Sequence, residues 1–217
     1  MNAPLKLYSF APFDRAARVR WTAHELGVPV EEVGLNYIAG EHREAAYRAK
    51  NPFCRVPLVE TDQGAMVQSV AICQYLAEQH PESGLVPPLD SPLRASWLSW
   101  LFVGASDLDA AGFQVLNYTV LRPDPEKRAT AIRVAEPLLQ VIEAHMADRD
   151  YVVGDRFTLP DIVLGHELVL LSFCRALDGW PHLIRYRDRL SQRPAAQASG
   201  LFGVLKHEPP AVKASAG

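Results

Sequence analysis

The spacing of apolar residues changes from a strand period to a helix period and back within the first 80 residues, and never returns to a strand period after them. Leu5-Lys6-Leu7-Tyr8-Ser9-Phe10 is a β-prone run that stops at Ala11-Pro12 and predicts a first strand. From about Asp14 to Leu26, Ala17, Trp21, His24 and Glu25 fall at helical spacing, and Gly27 is placed as a C-terminal stop. Val28 to Val33 is a second strand, so the two strands are expected to pair in parallel through a right-handed crossover. A short helix is expected over Glu41 to Ala49. The stretch from Asn51 to Tyr75 then reads as loop, strand (Val56 to Glu60), turn (Asp62-Gln63-Gly64), strand (Ala65 to Val67) and a helix opening at Ser69. The expected core face of that helix is Ile72, Tyr75, Leu76 and Gln79.

Residues 81–92 hold four prolines and no periodicity, and mark a boundary. Beyond it the pattern is helical throughout. A long helix is expected from Ser91 to about Tyr118, ended by Arg122-Pro123-Asp124-Pro125, and another from about Glu126 to Ala147. Pro137 lies inside the second and must either kink it or restart it. Thr158-Leu159-Pro160-Asp161 spells a capping box before a helix from Ile162 to about Cys174 that is apolar nearly all round and therefore buried. Trp180 to Leu190 is a further helix. The organisation expected is an α/β unit over 1–82, a linker over 83–92, an all-helical unit over 93–205 and a loose tail over 206–217.

Composition narrows the field. With 217 residues, 48% apolar and 22% charged, the chain can bury a full core. A net charge of −3 gives no electrostatic case for nucleic acid. No apolar run is long enough to span a membrane and the N-terminus lacks a leader pattern, so a cytoplasmic protein is expected. Cys54, Cys73 and Cys174 are odd in number and lack metal spacing, which points to neither a disulfide framework nor a metal site.

The chemistry gathers around the central stretch. Pro57 opens a strand where its missing N–H would be a liability, and a cis Val56-Pro57 bond would turn the chain and aim the Val56 backbone outward. Gln68 and Ser69 sit at a helix N-terminus, which suits a carboxylate. A ligand with peptide groups and a free carboxylate could pair with Val56 along one edge and with Gln68 and Ser69 at its end.

The pattern Asn51-Pro52-x-x-x-Val56-Pro57-x-Val59, followed by Gln68-Ser69-x-Ala71-Ile72-x-x-Tyr75-Leu76, resembles the glutathione-binding half of the glutathione transferase family. That resemblance, tight over the first 80 residues and loose to about 200, implies a thioredoxin-like N-terminal domain followed by a helical-bundle domain. It implies an enzyme whose co-substrate is glutathione, bound by Phe13, His42, Arg55, Val56, Pro57, Gln68 and Ser69. The segment Gly40-Glu41-His42 is similar to that of theta- and delta-like members, where the histidine meets the glycine end of glutathione. A hydrophobic small-molecule electrophile would face Phe102, Ser106 and Phe113. The spacing Phe53-x-x-Val56-Pro57 resembles members that insert this aromatic into a partner subunit, which implies a homodimer.

Glutathione chemistry needs the thiolate, and a free thiol with a pKa of about 8.5 is only slightly ionised at neutral pH. Most of the family supplies a hydroxyl or thiol donor near the end of the first strand. Here that position falls on Asp14 when counted from Pro12 and on Phe13 when counted from Arg18-Val19-Arg20, and neither can donate to sulfur. Ser9, with Tyr8 beside it, is the hydroxyl candidate for the catalytic role, and Arg15 the cationic one. Two rival readings follow: a non-catalytic glutathione-binding scaffold or sensor, favoured by the missing hydroxyl, and a glutathione-dependent disulfide reductase or peroxidase, for which Cys54 would be the reactive thiol.

Overall fold

A computed structural model describes residues 4–208. Strand β1 (Leu5–Ser9) pairs in parallel with β2 (Val30–Gly34) and antiparallel with β3 (Leu58–Thr61), which pairs antiparallel with β4 (Gly64–Val67), giving the order β2-β1-β3-β4. Helix α1 (Ala16–Glu25) makes the expected crossover between β1 and β2. The segment predicted as one short helix is a 3₁₀ turn (Glu41–Arg43) and then α2 (Ala45–Lys50), because Glu44 is extended and interrupts it.

Strand alternation sorts the two faces of the sheet. Leu5, Leu7 and Val59 join Val19, Trp21, Ile72 and Leu76 of α1 and α3 (Ser69–Glu78) in the main core. Tyr8 and Leu58 point the other way, where Tyr47 of α2 covers them. The core face of α3 gains two residues that were not expected and loses one that was. Cys73 and Ala77 are buried with Ile72 and Leu76, while Gln79 is exposed at the frayed end of the helix.

Residues 94–121 form one long helical run with two wide π turns. Its parts are α4 (Arg94–Phe102), a π turn (Val103–Leu108), α5 (Asp109–Leu116) and a second π turn (Asn117–Leu121). The first π turn falls where Gly104 lies against Val163 and Leu164 of α7 (Leu159–Phe173). Helix α6 (Pro125–His145) runs through Pro137 without a break. The proline and Arg133, whose carbonyl loses its partner, are both exposed, so water can satisfy the freed group.

Helix α7 is the buried centre of the helical half, and every residue from Leu159 to Leu171 is covered. Its capping box forms as read. The Asp161 carboxylate accepts from Thr158 N at 2.7 Å and also from Val152 N at 2.9 Å and Tyr186 Oη at 2.6 Å. Helices α8 (Pro181–Ser191) and α9 (Pro194–Ala198) and a 3₁₀ turn (Leu201–Lys206) close the chain around it. The expected tail from 206 thus begins inside an ordered turn, and its part from 209 lies outside the described residues. Among the described residues no helix is long and apolar enough to cross a membrane.

Candidate active site

A cleft of about 480 Å³ separates the Val56–Pro57 turn and the start of α3 from the first π turn and the start of α5, with Arg15 and Arg18 of the α1 region at its floor. The loop that forms one wall is built on Asn51, which is fully buried. Its Oδ1 accepts from Phe53 N at 3.0 Å, and its Nδ2 donates to Arg55 O at 2.6 Å, an oxygen that Tyr47 Oη also reaches at 2.6 Å. The Val56–Pro57 bond is cis, and among the described residues neither the N–H nor the C=O of Val56 has a hydrogen-bond partner. The backbone edge that the sequence placed there is therefore open to the cleft.

Beside that edge, next to β4, Gln68 precedes α3 with φ 73°, a conformation that non-glycine residues adopt at a cost of about 1–3 kcal/mol and that clusters at functional sites. Ser69 is buried and takes a long hydrogen bond of 3.4 Å from Arg18 Nη1. Arg55 lines the cleft, is exposed and has no acidic partner among the described residues. The cleft therefore offers a peptide-like edge, a helix N-terminus and a free guanidinium within one space, a set of groups suited to a short peptide with two carboxylates.

The hydroxyl candidates are not part of it. Ser9 is buried but outside the cleft, and its Oγ donates to Glu32 Oε1 at 2.6 Å. Glu32 is itself clamped by Arg20. Tyr8 Oη donates to Glu60 on the far face of the sheet, beside Lys50. Each gives its only proton to a carboxylate, so the assignment of either as donor to a sulfur in the cleft is corrected. Phe13 packs on Phe173, 6.4 Å between ring centroids, and does not line the cleft. His42 is likewise away from the lining, stacked on Tyr37 at 5.1 Å with Phe10 edge-on, and its Nδ1 has no partner among the described residues. Desolvation, with the charge of Arg43, lowers the His42 pKa.

Asp14, the other occupant of the expected donor position, faces inward. Its carboxylate accepts from Phe10 N at 2.6 Å, Ala11 N at 3.1 Å and Ala16 N at 2.7 Å, which shapes the turn into α1. Burial pushes its pKa up despite those bonds.

Arg15 alone of the three activating candidates reaches the cleft. Its Nε and Nη2 donate to Asp109 at 2.8 and 2.6 Å, its guanidinium lies 5.1 Å from the Phe113 ring centroid, and its Nη1 has no partner among the described residues. Arg18, fully buried, donates through Nη2 to Asp109 at 2.6 Å and to Glu167, and through Nε to His166 Nδ1 at 3.2 Å. Burial works against the Asp109 carboxylate, but the hydrogen bond from Arg15 and the charges of Arg18 and Arg15 outweigh it and bring its pKa to about 2. The hydrogen bonds that Arg15 donates to Asp109 raise its pKa above its already high value.

This cluster escaped the sequence reading except for Arg15. A signal for it exists: His166 and Glu167 interrupt a helix of otherwise apolar residues, and titratable groups in such a place must find partners. Asn51 was read only as part of a motif, although it is the hub of the loop. Among the described residues, no group of three or more potential metal ligands occurs.

Residues 3–78 match the model of the glutathione S-transferase N-terminal domain, and residues 118–194 match that of the C-terminal domain. The chain belongs to the glutathione S-transferase family. Among its relatives, maleylacetoacetate isomerase of Pseudomonas aeruginosa is 31% identical over 88% of this chain and 93% of its own. Glutathione S-transferase 3 of Zea mays is 30% identical over 90% and 92%. In structure, glutathione S-transferase-I bound with lactoylglutathione superposes with a TM-score of 0.81 at 26% identity, covering 93% of this chain and 100% of that one. The thioredoxin-like and helical domains of the glutathione S-transferase family are thus the two halves described above.

Proposed function

We propose that this protein is a glutathione transferase in which Arg15, and not a hydroxyl, holds the glutathione thiolate. Val56 pairs with the cysteinyl backbone across the open edge at Pro57. Gln68, Ser69 and the N-terminus of α3 take the γ-glutamyl carboxylate, and Arg55 takes the carboxylate at the glycine end. The observation that carries the reading is the free Nη1 of Arg15 in a cleft that also holds the Val56 edge and the start of α3.

A thiolate needs a donor and a positive environment. Arg15 and Arg18 are balanced by Asp109 and Glu167, so the cluster is neutral as a whole, and Arg15 contributes chiefly as a fixed N–H donor. Depressing a thiol pKa by about two units takes about 3 kcal/mol. A charged donor contributes about 1.5–3 kcal/mol, which is of the size required.

The second substrate is a small electrophile with an apolar surface, set against Phe102, which lines the cleft with Ser106, and against the exposed Phe113, which lies outside the cleft lining beside Arg15. The protein acts in the cytoplasm as a homodimer. Phe53, exposed beside the cleft, supports the dimer as an aromatic anchor. The disulfide-reductase reading finds no support, since Cys54 does not line the cleft and its Sγ faces Pro52 O at 3.7 Å. One observation favours a scaffold in place of an enzyme: both hydroxyls near the end of β1 are engaged elsewhere.

The deciding experiment is a pH titration of thiolate ultraviolet absorbance for glutathione in the complex, with binding followed by calorimetry against Gln68→Ala. A bound pKa well below about 8.5 that returns toward that value in Arg15→Gln supports the enzyme and its activator. Bound glutathione with an unmoved thiol favours the scaffold.

A further inference from the structure

We propose that His166, in the buried helix α7 of the C-terminal half, is a positioning residue for thiolate formation. It fixes both the α1 entry turn and the arginine cluster from one imidazole. The inference rests on the reading of the cleft as a glutathione site.

His166 is fully buried and touches no cleft surface. Its Nε2 lies 3.3 Å from Phe13 O and 3.1 Å from Asp14 O, and both are acceptors. That nitrogen therefore carries a proton whichever charge state the ring holds, an assignment made from its partners. The carbonyls it grips belong to the two residues before Arg15. On the other side of the ring, Nδ1 meets Arg18 Nε at 3.2 Å and Glu167 Oε1 at 2.9 Å. Arg18 in turn shares Asp109 with Arg15. One side of the imidazole thus holds the backbone on which Arg15 stands, and the other holds the ion pairs that aim its side chain.

The position needs a residue that donates at one end, contacts a guanidinium at the other and spans the distance between them. Asparagine reproduces the Nδ1 side and lacks the reach of Nε2, whereas the glutamine amide N–H falls near the place of Nε2. Packing alone distinguishes these two differently from hydrogen bonding. A residue that only fills space would leave the thiol of bound glutathione unaffected.

The test measures the thiol pKa of bound glutathione by thiolate absorbance, together with its affinity by calorimetry, in His166→Asn, His166→Gln and Arg15→Gln. The expected result is a rise of about one pH unit in the asparagine variant, a tenfold loss of thiolate at pH well below the pKa, with affinity held within a few-fold and the value largely recovered by glutamine. An unchanged pKa in His166→Asn, or a glutamine variant no better than asparagine, overturns the inference. If Arg15→Gln leaves the bound thiol unmoved while His166→Asn raises it, the role of Arg15 is refuted and positioning acts through the backbone N–H groups of the turn. The reverse pattern overturns the His166 inference alone. Circular dichroism establishes folding first. If asparagine does not fold, glutamine against His166→Met gives the same comparison, because methionine matches its length and carries no donor.

Discussion

Replacing Asp109 by asparagine removes the carboxylate that Arg15 and Arg18 share at the join of the two domains. The structure sets the size of the effect. The Asp109 carboxylate is held at about 2 against an ordinary value of 3.8, a difference worth about 2 kcal/mol of native-state stabilisation. Its side chain is only 12% exposed, so solvent screening reduces that figure little. Loss of the carboxylate also leaves the fully buried Arg18 with Glu167 as its one acidic partner, and breaking a buried pair costs more than the pKa difference alone. Because the native pKa is depressed, the contribution is fully present above pH 3.8 and is lost as pH falls through about 2. Urea unfolding at one fixed protein concentration should find Asp109→Asn less stable than the parent by at least about 2 kcal/mol at pH 7, with the gap narrower by about 1 kcal/mol at pH 3. A loss under about 0.5 kcal/mol at pH 7, or a gap that stays constant down to pH 3, would refute the assignment of Asp109 as a charged clamp.

The remaining expectations concern the core and the thiols. Burial holds Asp161 at about 6 in spite of its donors, so its charge opposes folding increasingly between pH 3.8 and 6; the stability margin of the parent over Asp161→Asn should shrink by about 2 kcal/mol from pH 4 to pH 7, and a flat or widening margin would contradict the assignment. A Cβ on Gly165 would sit 2.7 Å from Leu190 Cδ1 and 3.2 Å from the Trp21 ring, so Gly165→Ala should lose about 1–3 kcal/mol in denaturant unfolding, while Gly203→Ala, with nothing within 4 Å, should stay within about 0.5 kcal/mol. Equal losses in the two would mean that the crossing of α1, α7 and α8 is looser than described. Burial pushes the Cys73 thiol to about 12 and Cys174 to about 11, so a thiol-specific chromogenic reagent should modify Cys54 alone in the native protein; rapid modification of all three would show that α3 and α7 open readily.

The order of elements was legible because each carries a local signal. Turn residues, strand runs and the Thr158–Asp161 box all act within a few positions of one another. The Val56–Pro57 edge and the Gln68–Ser69 helix start were readable for the same reason, since both are short segments whose backbone geometry their own residues dictate. The surroundings of the activation candidates were not. Whether Ser9 faces the cleft depends on Glu32, 23 positions away, and on Arg20, which holds that carboxylate. Arg15 depends on Asp109, 94 positions away. Hydrogen bonds between residues so far apart leave no periodicity to read, and a hydroxyl at the end of a strand looks equally available whether or not a carboxylate has taken its proton. The π turns of the long helix were hidden for a related reason. The first of them falls where Gly104 approaches α7, a tertiary contact that helix propensity does not register.

Those π turns also bear on how the chain can change its length. A π turn spans one more residue than an α turn, so a single-residue deletion between Val103 and Leu108 can be absorbed by closing the turn to α geometry. The shift is confined to the segment that forms one wall of the cleft, between Phe102 and Asp109. Within the α-helices outside the two π turns a deletion rotates every following position of the helix by about 100° and exposes a buried face. A change of length in the first π turn remodels the wall of the cleft between Phe102 and Asp109 and spares the Val56–Pro57 edge across it.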